Sequence, residues 1–194
     1  DIQILTPTRK SAVGAQRLNR IMQQYLNPPS ADKMEKEVGD TIYRVGDKVM
    51  QIKNNYQLEW ERKSRYGVTY DRGNGIFNGD TGVIEDINFF SEQMLVRFED
   101  DRFVYYDFTQ LEELAYAITI HKSQGSEYPA VLIPMFPGPR MLMNRNLLYT
   151  AVTRAKTCVC MVGLEDCFHE MAANESEQKR YSSLDLRIQE MDNL

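Results

Sequence analysis

The chain has 194 residues, of which 42% are hydrophobic, and its formal net charge is −5. A chain of this length can bury a proper core, and no apolar stretch approaches the ~20 residues of a membrane span, so we expect a globular, cytoplasmic protein with no membrane partner. The negative charge excludes a whole-chain basic field, so any contact with DNA must come from a local basic patch.

The first forty residues predict a strand, a helix and a linker. The apolar run Ile2 to Leu5 is expected to be a strand, and the turn after it carries Arg9 and Lys10, which spacing alone predicts to be solvated surface cations. A helix should follow with Ser11 near its N-cap, because five apolar residues recur at helical spacing. These residues are Leu18, Ile21, Met22, Tyr25 and Leu26. Residues 27–40 are polar and begin with prolines, which favours a linker.

Residues 41–112 predict a small antiparallel β unit, an SH3-like barrel, because short runs of strand-forming residues are separated by turn sequences. The stretch 56–76 interleaves aromatic and basic residues, among them Trp60, Arg65 and Tyr66. Such a surface suits base stacking and phosphate contacts with single-stranded DNA. The alternatives are a hairpin packed against its own barrel and a surface for a protein partner.

Residues 113–168 return to an α/β pattern. The apolar run 117–120 predicts a buried strand, and a dense polar turn extends from His121 to Glu127. Because ligands of α/β domains bind outside the carboxyl ends of the strands, we expect this whole turn to lie there. A helix from near Asn144 should bury an apolar face and leave Arg154 on its polar face. Residues 169–194 are expected to form a polar C-terminal tail.

The sequence predicts no metal site. Its three cysteines lack metal-ligand spacing and are expected to be buried reduced thiols. The sequence GxxxxGK[ST], whose loop cradles nucleotide phosphates, does not occur in the chain.

Several segments resemble motifs of a known family. TIHKSQGSE at 119–127 and LLYTAVTRA at 147–155 are similar, in wording and order, to two motifs from the second motor domain of superfamily 1 helicases. HKSQGSE looks most like the RecD/TraA type of DNA helicase. ILTPTRKSAVG at 4–14 resembles a further motif of the family, and GDKVMQIKNNY at 46–56 and FNGDTGVI at 77–84 resemble the two ends of the β insert in RecD-type helicases.

The resemblance implies an α/β fold, a RecA-like parallel-sheet motor domain interrupted by an SH3-like β barrel. Residues 1–40 and 113–168 would form the motor domain, and 41–112 the insert. The implied activity is that of an ATP-dependent DNA helicase that translocates 5′ to 3′ on single-stranded DNA. ATP and Mg²⁺ would be bound mainly by an N-terminal motor domain of the same parent chain, so this chain alone is expected to be inactive. The alternative is a binding module for nucleic acid or protein that keeps the fold without hydrolysis.

The resemblance also implies roles for individual residues. Arg154 would be delivered to the γ-phosphate, where its multi-donor head suits phosphoryl transfer. Arg9 would approach the nucleotide phosphates, with Lys10 in reserve. The residues assigned to the 119–127 motif are Thr119, His121 and Ser123 for DNA, Gln124 for the junction between the two sites, and Gly125 and Glu127 for the nucleotide.

Overall fold

The computed structural model describes residues 2–110 and 113–176. Its elements in chain order are β1 Ile2–Thr6, α1 Ala15–Leu26, β2 Glu35–Val38, β3 Thr41–Arg44, β4 Lys48–Met50, β5 Asn55–Lys63, β6 Thr69–Ile76, β7 Thr81–Asn88, β8 Gln93–Phe98, β9 Arg102–Asp107, β10 Glu113–Leu114, β11 Ala117–Thr119, a 3-10 helix Ile120–Ser123, β12 Tyr128–Met135, α2 Arg145–Val152, β13 Ala155–Gly163 and α3 Glu165–Ala173. No described helix is long and apolar enough to cross a membrane.

Four strands form a parallel sheet in the order β11-β1-β12-β13. One face of this sheet packs against α2 and α3, and Leu5, Val131 and Ile133 are buried in that core. On the opposite face, Ile4 and Leu132 are half-buried, and the edge strand β13 is more exposed. Cys158 and Cys160 on β13, predicted to be buried, are therefore exposed, whereas Cys167 on α3 is buried.

The insert forms a seven-stranded antiparallel sheet in the order β10-β4-β7-β8-β9-β5-β6. Its alternating residues bury a second core, which includes Ile84, Met94 and Val104. Alternation along β8 follows the sequence pattern, since Met94, Val96 and Phe98 are buried and their neighbours are half-buried. A parallel α/β sheet interrupted by an antiparallel β unit is the predicted fold class.

Helix α1 begins later than predicted. Its N-cap is Gly14 rather than Ser11, because residues 8–14 form a tight turn in which the Ala15 N–H donates to the Thr8 carbonyl at 3.0 Å. A Cβ at Gly14 would lie 2.5 Å from the Ser11 nitrogen, closer than side-chain atoms are found. The backbone itself therefore requires glycine there.

The buried stripe of α1 is polar rather than apolar. Tyr25 and Leu26, predicted on the core face, are 79% and 67% exposed, whereas Asn19 and Gln23 are buried. The Asn19 carboxamide accepts from the Ala117 N–H at 2.7 Å and donates to the Ala117 carbonyl at 2.9 Å. It thereby pairs with the backbone N–H and carbonyl at the outer edge of β11, as a neighbouring strand would.

The insert is joined to the parallel-sheet domain through a buried carboxylate, that of Asp47. It accepts hydrogen bonds from Gln23 at 2.5 Å, Asn27 at 2.7 Å, the Tyr116 hydroxyl at 2.9 Å and the Arg44 N–H at 2.8 Å. Burial raises the pKa of Asp47 even though these hydrogen bonds oppose the rise. Two of the four donors come from α1 and its C-cap, one from β3 and one from the segment before β11, and together they fix the insert against α1 and that segment.

The predicted linker and tail contain regular structure. Within 27–40, β2 pairs with β3 in an antiparallel hairpin. The predicted tail begins inside α3, which contributes Cys167 and Met171 to the core. Residues 177–194 of that tail, and the end of the predicted insert at 111–112, lie outside the described residues.

Candidate functional site

Two strands of the parallel sheet end side by side and bring four cationic or polar residues together. Thr6 at the end of β1 pairs with Thr119 at the end of β11. The segments that follow therefore place Arg9 and Lys10 at the same carboxyl edge as Thr119 and His121. Arg9, Lys10 and His121 are exposed, and Thr119 is half-buried.

Glu113 holds two of the cations at this edge. Its Oε2 accepts a hydrogen bond from Lys122 at 2.5 Å. Its Oε1 lies 2.9 Å from an Arg9 guanidinium nitrogen as an ion pair, but it is buried and has no aligned hydrogen bond within the described part of the chain. The Glu113 carboxylate thus lies between two cations, and a phosphate group could take its place between them.

Ser123 does not face the edge to which the resemblance assigns it. Its side chain is completely buried, and its hydroxyl donates to the Ile120 carbonyl at 2.7 Å. This bond closes the 3-10 helix that presents His121 to solvent and the half-buried Lys122 to Glu113. Serine hydroxyls commonly donate to a carbonyl three residues earlier in the chain. This tendency was the signal in the sequence that Ser123 could bond to Ile120 rather than face a ligand.

The turn that follows leaves the carboxyl edge instead of staying there. Ala130 of β12 pairs with Ile2, the first residue of β1, so Tyr128 lies at the amino ends of the strands. Between Thr119 and Tyr128 the chain runs back by roughly 20 Å, at about 3.3 Å per strand residue. The expectation that the whole turn lies at the carboxyl edge therefore holds for His121 but is wrong for Glu127.

Gln124, Gly125 and Glu127 occupy this return path and the amino edge. All three are exposed. Gly125 has φ +89°, a conformation that favours glycine, and no atom lies within 4 Å of the position of an added Cβ. Glu127 forms an exposed ion pair with Lys156 at 3.5 Å. The turn therefore presents open backbone beside charged side chains.

Arg154 lies at the same amino edge, beyond the end of α2 and not on its polar face as predicted. Helix α2 ends at Val152, and Arg154 sits in the turn before β13. Its guanidinium donates to the Thr150 carbonyl at 3.3 Å, the Ser126 carbonyl at 3.2 Å and the Thr153 hydroxyl at 3.3 Å. All three acceptors are neutral, and no ion pair within the described ranges involves Arg154. Its charge is positioned but not neutralised.

The structure therefore separates the predicted site residues into two groups. The carboxyl edge comprises Arg9, Lys10, Thr119, His121 and Lys122. The amino edge comprises Gly125, Ser126, Glu127, Arg154 and Lys156. Arg9 and Arg154, expected to serve one phosphate, are not brought together, and Gln124 lies on the path between the two edges. Lys122, Ser126 and Lys156 were missed as individual candidates, although the first two stand inside the recognised motif.

The long hairpin β5–β6 places its aromatic residues in different environments. Trp60 packs against the insert's core and covers Gly73, where an added Cβ would lie 2.4 Å from the indole. Arg62 and Arg102 approach its ring at 5.3 and 5.9 Å from the centroid. Tyr66 is 77% exposed in the turn of the hairpin.

Arg65 joins Tyr66 in that turn. It stacks on the Tyr66 ring at 4.8 Å and donates to its hydroxyl at 2.6 Å. The hairpin therefore offers Tyr66 and Arg65 to a ligand, while Trp60 is mainly part of the packing.

Two family models match the chain. The SH3 domain of ATP-dependent RecD-like DNA helicases matches residues 18–98, and the UvrD-like helicase C-terminal domain matches residues 114–162. The first match begins within α1, which is the helix whose amides bind Asp47 of the insert.

Longer proteins resemble nearly the whole chain. An ATP-dependent RecD2 DNA helicase from Deinococcus radiodurans is 29% identical over 188 residues, covering 95% of this chain and 23% of that protein. The RecBCD enzyme subunit RecD from Mycolicibacterium smegmatis is 30% identical over 189 residues, covering 96% of this chain and 29% of that protein. The chain thus spans less than a third of the length of these relatives.

A solved structure shares the fold. The Pif1 helicase from Bacteroides, in complex with ADP-AlF3 and ssDNA, superimposes with a TM-score of 0.55 at 17% identity. The match covers 99% of this chain and 46% of the Pif1 chain. At this identity the likeness shows the fold alone.

Proposed function

Both domains of the chain relate it to the RecD-type superfamily 1 DNA helicases, and on that premise we propose that it is the DNA-tracking and arginine-supplying half of an ATP-driven motor. In this proposal the parent protein translocates on single-stranded DNA in the 5′ to 3′ direction that the resemblance implies. A second motor domain in the parent chain carries the loop that cradles the nucleotide phosphates.

The separation of the two edges is the observation that carries the proposal. A motor must hold its strand and its nucleotide at different places and couple them. Here the carboxyl edge offers exposed cations and His121 to a strand. The amino edge offers Arg154 and the open backbone at Gly125 to a nucleotide. The single segment 120–127 connects the two edges, and in this proposal it couples a displacement at one edge to the other.

At the amino edge, Arg154 supports phosphoryl transfer through position and charge. Its donors point to neutral oxygens and its charge is not neutralised by a carboxylate, so no ion pair has to break when it turns to a triphosphate. ATP with Mg²⁺ would supply the transferable phosphoryl group and the metal's charge stabilisation. The residues present fit one wall of such a site, with Arg154 and Lys156 as cations and Glu127 as a hydrogen-bond acceptor.

At the carboxyl edge, Arg9 and Lys10 belong with the DNA strand in this proposal rather than with the nucleotide. They stand beside Thr119 and His121, roughly 20 Å along the strands from the level of Arg154. Arg9 and Lys122 would exchange the carboxylate of Glu113 for a phosphate, and His121 would contact sugar or base. Contacts to phosphates position a strand without reading its sequence, as a translocating enzyme requires.

Separate variants at the two edges test this division of labour in the parent helicase. His121→Ala should raise the DNA concentration that half-maximally stimulates ATP hydrolysis and leave the rate at saturating DNA within a few-fold. Arg154→Ala should lower the rate at saturating DNA and leave the DNA concentration for half-maximal stimulation within a few-fold. If both variants hydrolyse ATP like the parent at every DNA concentration, neither residue has the role assigned to it here. An unaltered parent that shows no hydrolysis at all would instead support a binding module without catalysis.

A further inference from the structure

Helix α1 carries a row of cations that the helicase motifs do not include. Arg17 and Arg20 stand one turn apart on its exposed face, and Gln16 lies beside them. The helix contains no acidic residue. Neither Lys10 nor Arg17 takes part in an ion pair within residues 2–110 and 113–176, and Arg20 reaches only the Asp40 carbonyl, at 3.4 Å.

Two adjoining clefts connect this row to the carboxyl edge. One, of about 170 Å³, is lined by Thr119 and Lys122 as well as by the start of α1. The other, of about 360 Å³, continues along α1 to Arg17. The residues that line both clefts are Lys10, Gln16 and Arg20. A ligand that leaves Thr119 can therefore follow a continuous groove along the helix.

The lining of the clefts identifies the chemistry of the ligand. Neither cleft has an aromatic residue for base stacking. The first cleft has four cations against the carboxylates of Asp40 and Glu113, and the second has Lys10, Arg17 and Arg20 with no carboxylate. This local excess of positive charge suits phosphate oxygens, and it stands out in a chain whose net charge is −5. A nucleoside triphosphate is a poorer fit, because Arg154, Gly125 and Glu127, to which the proposed function gives the nucleotide, lie at the other edge of the sheet.

We propose that Lys10, Arg17 and Arg20 form a phosphate-binding strip that extends the single-stranded DNA path beyond His121 and along α1. This inference rests on the proposed function, since it assumes that the strand crosses the carboxyl edge. The strip binds the phosphate backbone of the DNA whatever its base sequence. It lengthens the bound DNA segment by the phosphates that Arg17 and Arg20 neutralise.

The test is the salt dependence of DNA binding by the 194-residue chain. Fluorescence anisotropy with a labelled oligothymidylate gives the slope of log Kd against log salt concentration. Each phosphate contact on a single strand contributes about 0.7 to that slope, so Arg17→Ala/Arg20→Ala should reduce it by about 1.4. Arg97→Ala/Arg140→Ala removes the same charge from surfaces outside the clefts and should leave the slope nearly unchanged. Thermal unfolding establishes that each variant is folded.

The outcomes separate this inference from the proposed function. If His121→Ala weakens binding while the α1 double variant matches the control, the strip is refuted and the carboxyl edge stands. If both double variants reduce the slope equally, binding follows net charge and the strip is refuted. If the unaltered chain does not bind the oligonucleotide even at low salt, both the strip and the DNA path are overturned.

Discussion

Replacing Arg154 by alanine should slow ATP hydrolysis by the assembled motor, meaning this chain within its proposed parent helicase, by ~10³–10⁵. That loss corresponds to about 4–7 kcal/mol of transition-state stabilisation, the range for an arginine that meets the developing charge of phosphoryl transfer. Arg154→Lys should recover little of it, because an ammonium keeps the charge but loses the planar fork of donors.

The structure predicts that Arg154→Ala has a much smaller effect on the free energy of unfolding. Arg154 makes three hydrogen bonds of 3.2–3.3 Å, all to neutral acceptors in adjacent turns. At the low end of the usual net value for a hydrogen bond, their loss amounts to about 1–2 kcal/mol of unfolding free energy. The effect on catalysis should therefore exceed the effect on stability several-fold.

Steady-state ATP hydrolysis at saturating DNA and ATP, together with thermal unfolding, distinguishes the two effects. Arg145→Ala is a matched control, since Arg145 forms an exposed ion pair with Glu175 at 2.6 Å and lies at the other end of α2. It should hydrolyse ATP at nearly the parent rate. The reasoning is refuted if Arg154→Ala hydrolyses ATP within a few-fold of the parent, or if its loss of activity is matched by a loss of folded protein.

Three further predictions concern other parts of the molecule. The effects of Arg9→Ala and Arg154→Ala on the free energy of activation for hydrolysis should add, because the residues lie at opposite edges; a double variant no worse than the more damaging single variant would contradict this. Tyr66→Ala should weaken single-stranded DNA binding by ~1–3 kcal/mol with little change in melting temperature, whereas Trp60→Ala should lower the melting temperature; equal melting temperatures for the two variants would contradict the packing described. Burial raises the pKa of Asp47 above its usual value of 3.8, so its protonated form contributes stability that is present below that pH and is lost as the pH rises through the folded-state pKa. The free energy of unfolding in urea should therefore fall less over this pH window for Asp47→Asn than for the parent chain. Identical pH profiles for the two chains would contradict the assignment.

The fold class and the identity of the motifs could be predicted from the sequence because they depend on local patterns. Alternating strands in the insert and apolar runs in the parallel sheet have periods that can be read directly, whereas the motifs were identified by the wording of short segments that resemble a known family. The position of Glu127 could not be read in this way. A polar turn after a strand is expected at the carboxyl edge, but the short segment 124–127 runs back across the sheet, and only the register of Ala130 with Ile2 reveals it.

Helix α1 illustrates a second limit of sequence reasoning. Its apolar residues have a clear helical period, so the usual rule assigns them to the core. The structure instead buries Asn19 and Gln23, because the outer edge of β11 and the carboxylate of Asp47 need hydrogen-bond partners. That need arises from residues about 20 to 100 positions away in the chain, and no local pattern encodes it.

The most direct test of the account is to map where DNA and nucleotide touch the parent helicase. Photo-crosslinking with single-stranded DNA that carries photoreactive bases, and separately with an azido analogue of ATP, can be followed by mass spectrometry of the modified peptides. The account predicts DNA crosslinks within residues 9–20 and 119–122, and nucleotide crosslinks within 124–127 and 153–156. Nucleotide crosslinks at Arg9 and Lys10, or DNA crosslinks concentrated around Arg154, would contradict the assignment of the two edges.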